Sequence, residues 1–194
     1  FCFSEEANMK KVLLTTVILM FSASLVFAQA GRIGIFGDAT GAVTSCAVVD
    51  DAPKLLPLYV VHVDAPSVTA SQFMAPQPAC MDGTWLSDTA VFGVTLGNSQ
   101  TGVAIAYGAC LASPVHILTI NIFASGTTAP CCVYPVTGDV NLPSGLIEIV
   151  DCADNLYYGD GQSGVINPDA TCACVDIVAT QESSWGKIKS LYNR

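Results

Sequence analysis

From Gly31 onward the chain is a succession of short apolar runs rich in Val, Ile, Thr, Tyr and Phe, broken by Gly, Pro, Asn and Asp. Runs of this length bounded by turn residues are read as strands, and no long helical period interrupts them. In the first half they predict strands at Arg32–Phe36, Leu56–Val63, Thr69–Ala75, Val91–Leu96 and Val103–Tyr107. In the second half they predict Val115–Ala124, Cys132–Val136, Leu146–Asp151 and Cys172–Ile177. Gly97-Asn98-Ser99-Gln100-Thr101-Gly102 falls between two of these and reads as a hairpin loop. The ten prolines sit mostly at run edges, where a missing N–H does little harm to a ladder. The expectation is an all-β sandwich or barrel over residues 31–178, mostly strand, with little helix outside the C-terminal tail.

The order of three segments carries a resemblance. Leu58–Ala75 (LYVVHVDAPSVTASQFMA), Gly102–Tyr107 (GVAIAY) and Val115–Gly126 (VHILTINIFASG) together resemble the strand order of cohesin-like and immunoglobulin-like sandwiches. The resemblance covers about the middle half of the chain and implies a β-sandwich with a partner-binding role. The cysteines are an addition to that pattern.

The first thirty residues read as something other than the fold. Met9-Lys10-Lys11, the uncharged run Val12 to Phe27, and Ala28-Gln29-Ala30 form a positive n-region, an apolar h-region and a small-x-small site. Residues 9–30 are therefore expected to be a signal peptide cleaved after Ala30, the run being shorter than a typical membrane span. Residues 1–8 are read as untranslated leader, because Glu5-Glu6-Ala7-Asn8 back-translates to a purine-rich stretch like a ribosome-binding site. The chain that remains is expected to be secreted, at the cell surface or in a periplasm, with no membrane span.

That remaining chain holds eight of the nine cysteines: Cys46, Cys80, Cys110, Cys131, Cys132, Cys152, Cys172 and Cys174. An even number behind a signal peptide reads as a disulfide framework, about 2–4 kcal/mol per bridge in the chain-entropy account. Neither Cys131-Cys132 nor Cys172-Ala173-Cys174 has the spacing of a zinc site or a redox C-x-x-C pair. Adjacent strand residues face opposite ways, so Cys131 and Cys132 should take different, distant partners. Cys172 and Cys174 would stand about 6.5–7 Å apart on a strand, at the limit for a bridge. At least one long-range bridge is expected from that segment into the body; sequence alone leaves about 105 connectivities open.

Charge excludes one class of function. The net charge is −9, and no Lys or Arg lies between Lys54 and Lys187. A polyanion needs cations to displace its counterions, so the body is not a nucleic-acid binder.

Catalytic signals are sparse. The two histidines, His62 and His116, each fall inside a predicted strand, and Asp64 would share a face with His62 if that strand stayed extended. Gly161-Gln162-Ser163-Gly164 lacks the nucleophile-elbow spacing. Asp139-Val140-Asn141 begins like a calcium loop, but Pro143 and Ser144 occupy its fifth and sixth positions. Asp151, Asp154, Asn155 and Asp160 form a second acidic group without ligand spacing. Trp85, Tyr157 and Tyr158 are the aromatics available for a sugar-stacking platform, against the plainer reading of core packing. The expectation is a structural, adhesive or binding module without catalysis, cofactor or metal, its partner a protein or glycan at a cell surface. The alternatives are a carbohydrate-binding module, a small secreted hydrolase using His62 or His116, and a self-assembling subunit.

Residues 179–194 read as linker and tail. Trp185, Ile188, Leu191 and Tyr192 fall at helical spacing beside Lys187, Lys189 and Arg194, with a serine as N-cap. The tail is similar to short Trp-Gly-x-Ile-Lys-x-Leu-Tyr tails on secreted proteins of uncultured bacterial lineages. It is read either as a sorting or docking signal, dispensable for folding, or as a helix packing Trp185 onto the body.

Overall fold

The computed structural model describes residues 31–42, 47–65 and 67–172. Twelve strands are present among them: β1 (Arg32–Phe36), β2 (Ala47–Val48), β3 (Lys54–Val63), β4 (Val68–Phe73), β5 (Gly83–Ala90), β6 (Val94–Asn98), β7 (Gly102–Leu111), β8 (Val115–Ala124), β9 (Cys132–Tyr134), β10 (Ile147–Asp151), β11 (Leu156–Gln162) and β12 (Gly164–Ile166). The described residues contain no helix. Nine strands follow the hydrogen-bonded order β5-β8-β3-β1-β11-β10-β4-β7-β6, and β2-β12-β9 form a small second sheet.

The nine strands form two layers because β11 changes partners along its length. Leu156 to Gly159 pair antiparallel with β10, whereas Asp160 to Gln162 pair parallel with β1. Gly161 lies in the second part, and a Cβ there would come within 2.0 Å of the Val136 carbonyl oxygen, so only glycine passes beneath the segment that follows β9. The layers β5-β8-β3-β1 and β10-β4-β7-β6 face each other across the core.

Alternation fills that core. Leu56, Leu58 and Val60 of β3 and Ile120 and Ile122 of β8 are buried in one layer; Phe73 of β4, Ile105 of β7 and Ile149 of β10 oppose them. A bulge shifts the β3–β8 register at Val60/Val61, where Val60 faces Leu118 and Val61 faces His116. The extra β8 residue lets both Ile117 and Leu118 be buried. Phe36, Val61 and Val63 form a separate cluster with Tyr59 on the outer side of that layer.

Three disulfides staple the described residues. Cys80–Cys132, Cys110–Cys152 and Cys131–Cys172 have Cα separations of 5.6, 5.4 and 5.7 Å. Cys131 and Cys132 take different, distant partners, and Cys172 is tied back to the body. The geometry differs from the expected strand in two ways. Cys131 precedes β9 in the left-handed region, at φ 60°, and Cys172 lies in a bend instead of starting a strand. Cys46, Cys174, the rest of the run to Ile177, the residues before Gly31 and the tail lie outside the described residues.

Two buried tyrosines make a test of polar accounting. Tyr107 donates to Ser71 Oγ at 2.8 Å and stands 3.1 Å from His62 Nδ1. The Tyr134 hydroxyl is buried with no partner in hydrogen-bonding geometry, and burial pushes its phenol up to about 12 against the opposing pull of Gln100. Tyr107→Phe should cost about 1–3 kcal/mol, because it strips buried polar groups of a partner, whereas Tyr134→Phe should leave stability unchanged or raise it. Denaturant melts of the two variants check this; equal losses would contradict it.

Candidate functional site

The outer face of the β10-β4-β7-β6 layer follows from the same alternation that fills the core. With Phe73, Ile105, Tyr107 and Ile149 pointing in, Ala70 and Gln72 of β4, Ala104 and Ala106 of β7, and Glu148 and Val150 of β10 point out. Register places Val94 opposite Ala106 and Leu96 opposite Ala104 on one side. On the other, Leu156 lies opposite Val150 and Tyr158 opposite Glu148. The middle of the face is thus built from alanines and its flanks from larger apolar side chains. The result is an open trough of about 200 Å³ lined by Ala70, Ala104, Ala106, Val94, Leu96 and Val150, among others.

The flanks are unusually bare. Leu96 is 70% exposed, Val94 61% and Leu156 51%. Glu148 is the charged residue in the trough lining; its carboxylate accepts from Ser144 Oγ at 2.8 Å. Arg32 and Lys54, the bases among the described residues, are bound elsewhere, Arg32 to Asp64 and Lys54 to Asp51. The trough lining is thus largely apolar, with one carboxylate and no cation.

The residues singled out for catalysis are kept apart. His62 is fully buried between the layers and looks toward Tyr107 and Ser71. With the Tyr107 hydrogen directed to Ser71, the imidazole Nδ1–H is left to donate to the Tyr107 oxygen. Asp64 does not share its face: at φ 60° it turns out of the strand and binds Arg32. His116, on β8 of the same layer as His62, lies on its outer face, its ring 5.3 Å from Tyr59 and its Nε2 3.0 Å from Thr119 Oγ1. Tyr107 Oη stands beside the His62 ring, and the Leu118 carbonyl and Thr119 Oγ1 beside the His116 ring, where a nucleophile's base would have a carboxylate to orient it. The buried His62–Tyr107–Ser71 chain is a polar tie between the layers, with burial driving the Tyr107 phenol strongly upward.

Asp139 and Asp151, the leading acids of the two groups, are likewise occupied. Asp139 is 4% exposed and accepts from Gln72 Nε2 and from the Asn141 backbone and side chain. Asp151 caps the β10–β11 turn by accepting from Ala153 N, Asn155 N and Asn155 Nδ2. Apart from the bond from Gln72, these are local, turn-forming contacts of the Asx type. Cys131, Asp169 and Cys172 come within metal-ligand distance of one another, but both sulfurs are consumed in one disulfide. The aromatics do not assemble a platform. Trp85 packs against the core from β5 and donates to Asp88, while Tyr157 and Tyr158 are neighbours on β11 and point to opposite faces.

His116 supplies a pH signature. Partial burial withdraws water from its imidazolium and lowers its pKa, against the opposing pull of the Leu118 carbonyl. A histidine depressed in the folded state is protonated first in the unfolded chain. Its contribution is therefore complete above the unfolded value of about 6.5 and is lost as pH falls through and below it. The melting temperature of wild type should fall from pH 7.5 to 5.5 more than that of His116→Gln. Parallel pH profiles of the two would contradict this.

No family model matches the chain, and no curated protein matches it. Among solved structures, it is similar to the sixth cohesin of scaffoldin B from Acetivibrio cellulolyticus, solved in complex with the Cel5 dockerin. That match has 11% identity and a TM-score of 0.48, covering 72% of this chain and 99% of that one. It is also similar to a non-cellulosomal cohesin from Archaeoglobus fulgidus, at 13% identity and a TM-score of 0.45, covering 72% and 91%. A third is the OlpA cohesin of Clostridium thermocellum, solved with its Doc918 partner, at 12% identity and 0.47, covering 71% and 98%. The described residues themselves are all-β, with their strands in two facing layers.

Proposed function

We propose that this chain is a secreted, non-catalytic binding module that takes a protein partner on the outer face of β10-β4-β7-β6. The observation that carries the reading is the exposed alanine-floored trough between Val94 and Leu96 on one side and Val150 and Leu156 on the other. Its volume, about 200 Å³, is smaller than the roughly 300–1,000 Å³ of small-molecule pockets. It suits one or two large side chains projecting from another surface. Apolar anchors in such a recess, ringed by polar groups, are the usual energetic centre of a protein interface. Glu148, the one charge in the lining, favours a partner with a basic group beside its apolar anchor. Secretion is supported by the signal-peptide pattern before Gly31 and by disulfides, which persist in oxidising compartments.

Site-specific photo-crosslinking tests this in the cells the chain comes from. A photoreactive residue at Leu96 should give a saturable heavier adduct, and one at Phe123, exposed on the outer side of the other layer, should not. Equal labelling from both positions, or none from Leu96, would overturn the reading.

A further inference from the structure

We infer that the trough is covered, within the same molecule, by the C-terminal segment Glu182–Arg194, with Trp185 as its anchor. This rests on the reading of the trough as a protein-binding face and names the occupant that any external partner must displace.

Three observations point to that segment. The first is chemistry. The trough wants a large apolar side chain with basic neighbours, and the segment presents Trp185, Ile188, Leu191 and Tyr192 at helical spacing with Lys187, Lys189 and Arg194 between and beside them. The second is charge. The described residues hold twelve acids, and Arg32 and Lys54, their bases, are already paired with aspartates. Beyond the expected signal peptide with its Lys10 and Lys11, the segment's three cations are the bases left to face Glu148 in the trough lining.

The third is reach. The described chain ends at Cys172, whose Cα is 5.7 Å from that of Cys131. From Cys131 the chain runs six residues to Thr137, which bridges Met74, two residues beyond Gln72 in the trough lining. Even fully extended, that route adds to about 40 Å, whereas the thirteen steps from Cys172 to Trp185 span up to about 45 Å. The tether therefore reaches with slack. A segment held on such a tether acts at an effective concentration in the millimolar range, so modest contacts suffice to fill the trough.

The experiment uses the full oxidised chain. Its backbone and indole N–H resonances are compared with those of Leu96→Asp, Phe123→Asp and the double variant Trp185→Glu/Leu191→Glu. The expected result has two reciprocal halves. The tail variant shifts resonances of Val94, Leu96, Ala104 and Ala106. Leu96→Asp moves the Trp185 indole signal to its position in the isolated 182–194 peptide, while Phe123→Asp leaves it in place. The peptide added to the tail variant should restore the trough shifts, and its Trp185→Ala form should bind at least tenfold more weakly. Wild type should sediment as a monomer at all concentrations; association abolished by Leu96→Asp would overturn covering within one molecule and assign the segment to a second copy. A Trp185 signal unmoved by Leu96→Asp would overturn the inference outright. A partner adduct from Leu96 beside such an unmoved signal leaves the binding reading standing and removes the tail alone. With the tail bound, the tail variant should raise that adduct at least threefold; no adduct from any variant would instead overturn the partner reading.

Discussion

Cys80→Ser combined with Cys132→Ala should lower stability by about 2–5 kcal/mol, the usual cost of removing a native bridge from a small disulfide-stapled domain. The bridge joins residues 52 apart in sequence, and the chain-entropy account gives about 4 kcal/mol for a loop of that size. Cys132 is 2% exposed on β9 and Cys80 lies on the exposed segment before β5, so the bond ties the small sheet to the main body. In a domain of this size the change corresponds to about 10 °C in melting temperature. Alanine at the buried position avoids leaving a hydroxyl without partners there. A thermal melt of the secreted variant reads the effect, and a shift under about 2 °C would contradict the structural role given to this bridge.

The second large effect separates the two faces of one strand layer. Phe73 is completely buried on β4, so Phe73→Ala should cost about 3–5 kcal/mol through lost transfer energy and the cavity left behind. Leu96, 70% exposed on the outer side of the same layer, should cost about 0.5 kcal/mol or less when cut to alanine. Urea unfolding with matched slopes gives both numbers. Equal costs would mean that the assignment of inner and outer faces is wrong.

The strands that were legible in the sequence are those buried on at least one face. Arg32–Phe36 and Val115–Ala124 coincide with β1 and β8, because their apolar residues pack the core directly. The hairpin at Gly97–Gly102 joins β6 and β7 as its turn residues predict. The strand expected at Val91–Leu96 instead spans Val94–Asn98: Val91-Phe92-Gly93 bend before it begins. β5 and β11 went unread for a physical reason. Thr84-Trp85-Leu86-Ser87-Asp88 is an edge strand with a bulge at Trp85/Ser87, and that extra residue disrupts the two-residue period. Leu156–Gln162 contains Gly159 and Gly161, which local propensity counts against a strand. Tertiary packing requires them, since β11 crosses closely beneath its neighbours.

The candidate site was hidden for a related reason. Val94, Leu96, Ala104, Ala106, Val150 and Leu156 all look like core residues in sequence, because apolar alternation does not say which face is covered. Only strand order and register show that they share one face, which no other described strand covers. The one available signal was the unbroken apolar character of Val103–Tyr107, where alanines at positions 104 and 106 occupy the side that a water-facing strand would make polar. His62 misled in the opposite direction: a strand histidine near an aspartate suggests chemistry, whereas Asp64 leaves the strand in the left-handed region and the ring turns inward.

Filling the floor of the trough tests the central claim most directly. Ala104→Glu places a carboxylate in the middle of the outer face, between Leu96 and Gln72, without touching the core. With the photoreactive residue moved to Val94, the variant should melt within about 0.5 kcal/mol of wild type and lose the partner adduct. An adduct of undiminished yield from the correctly folded variant would contradict the account.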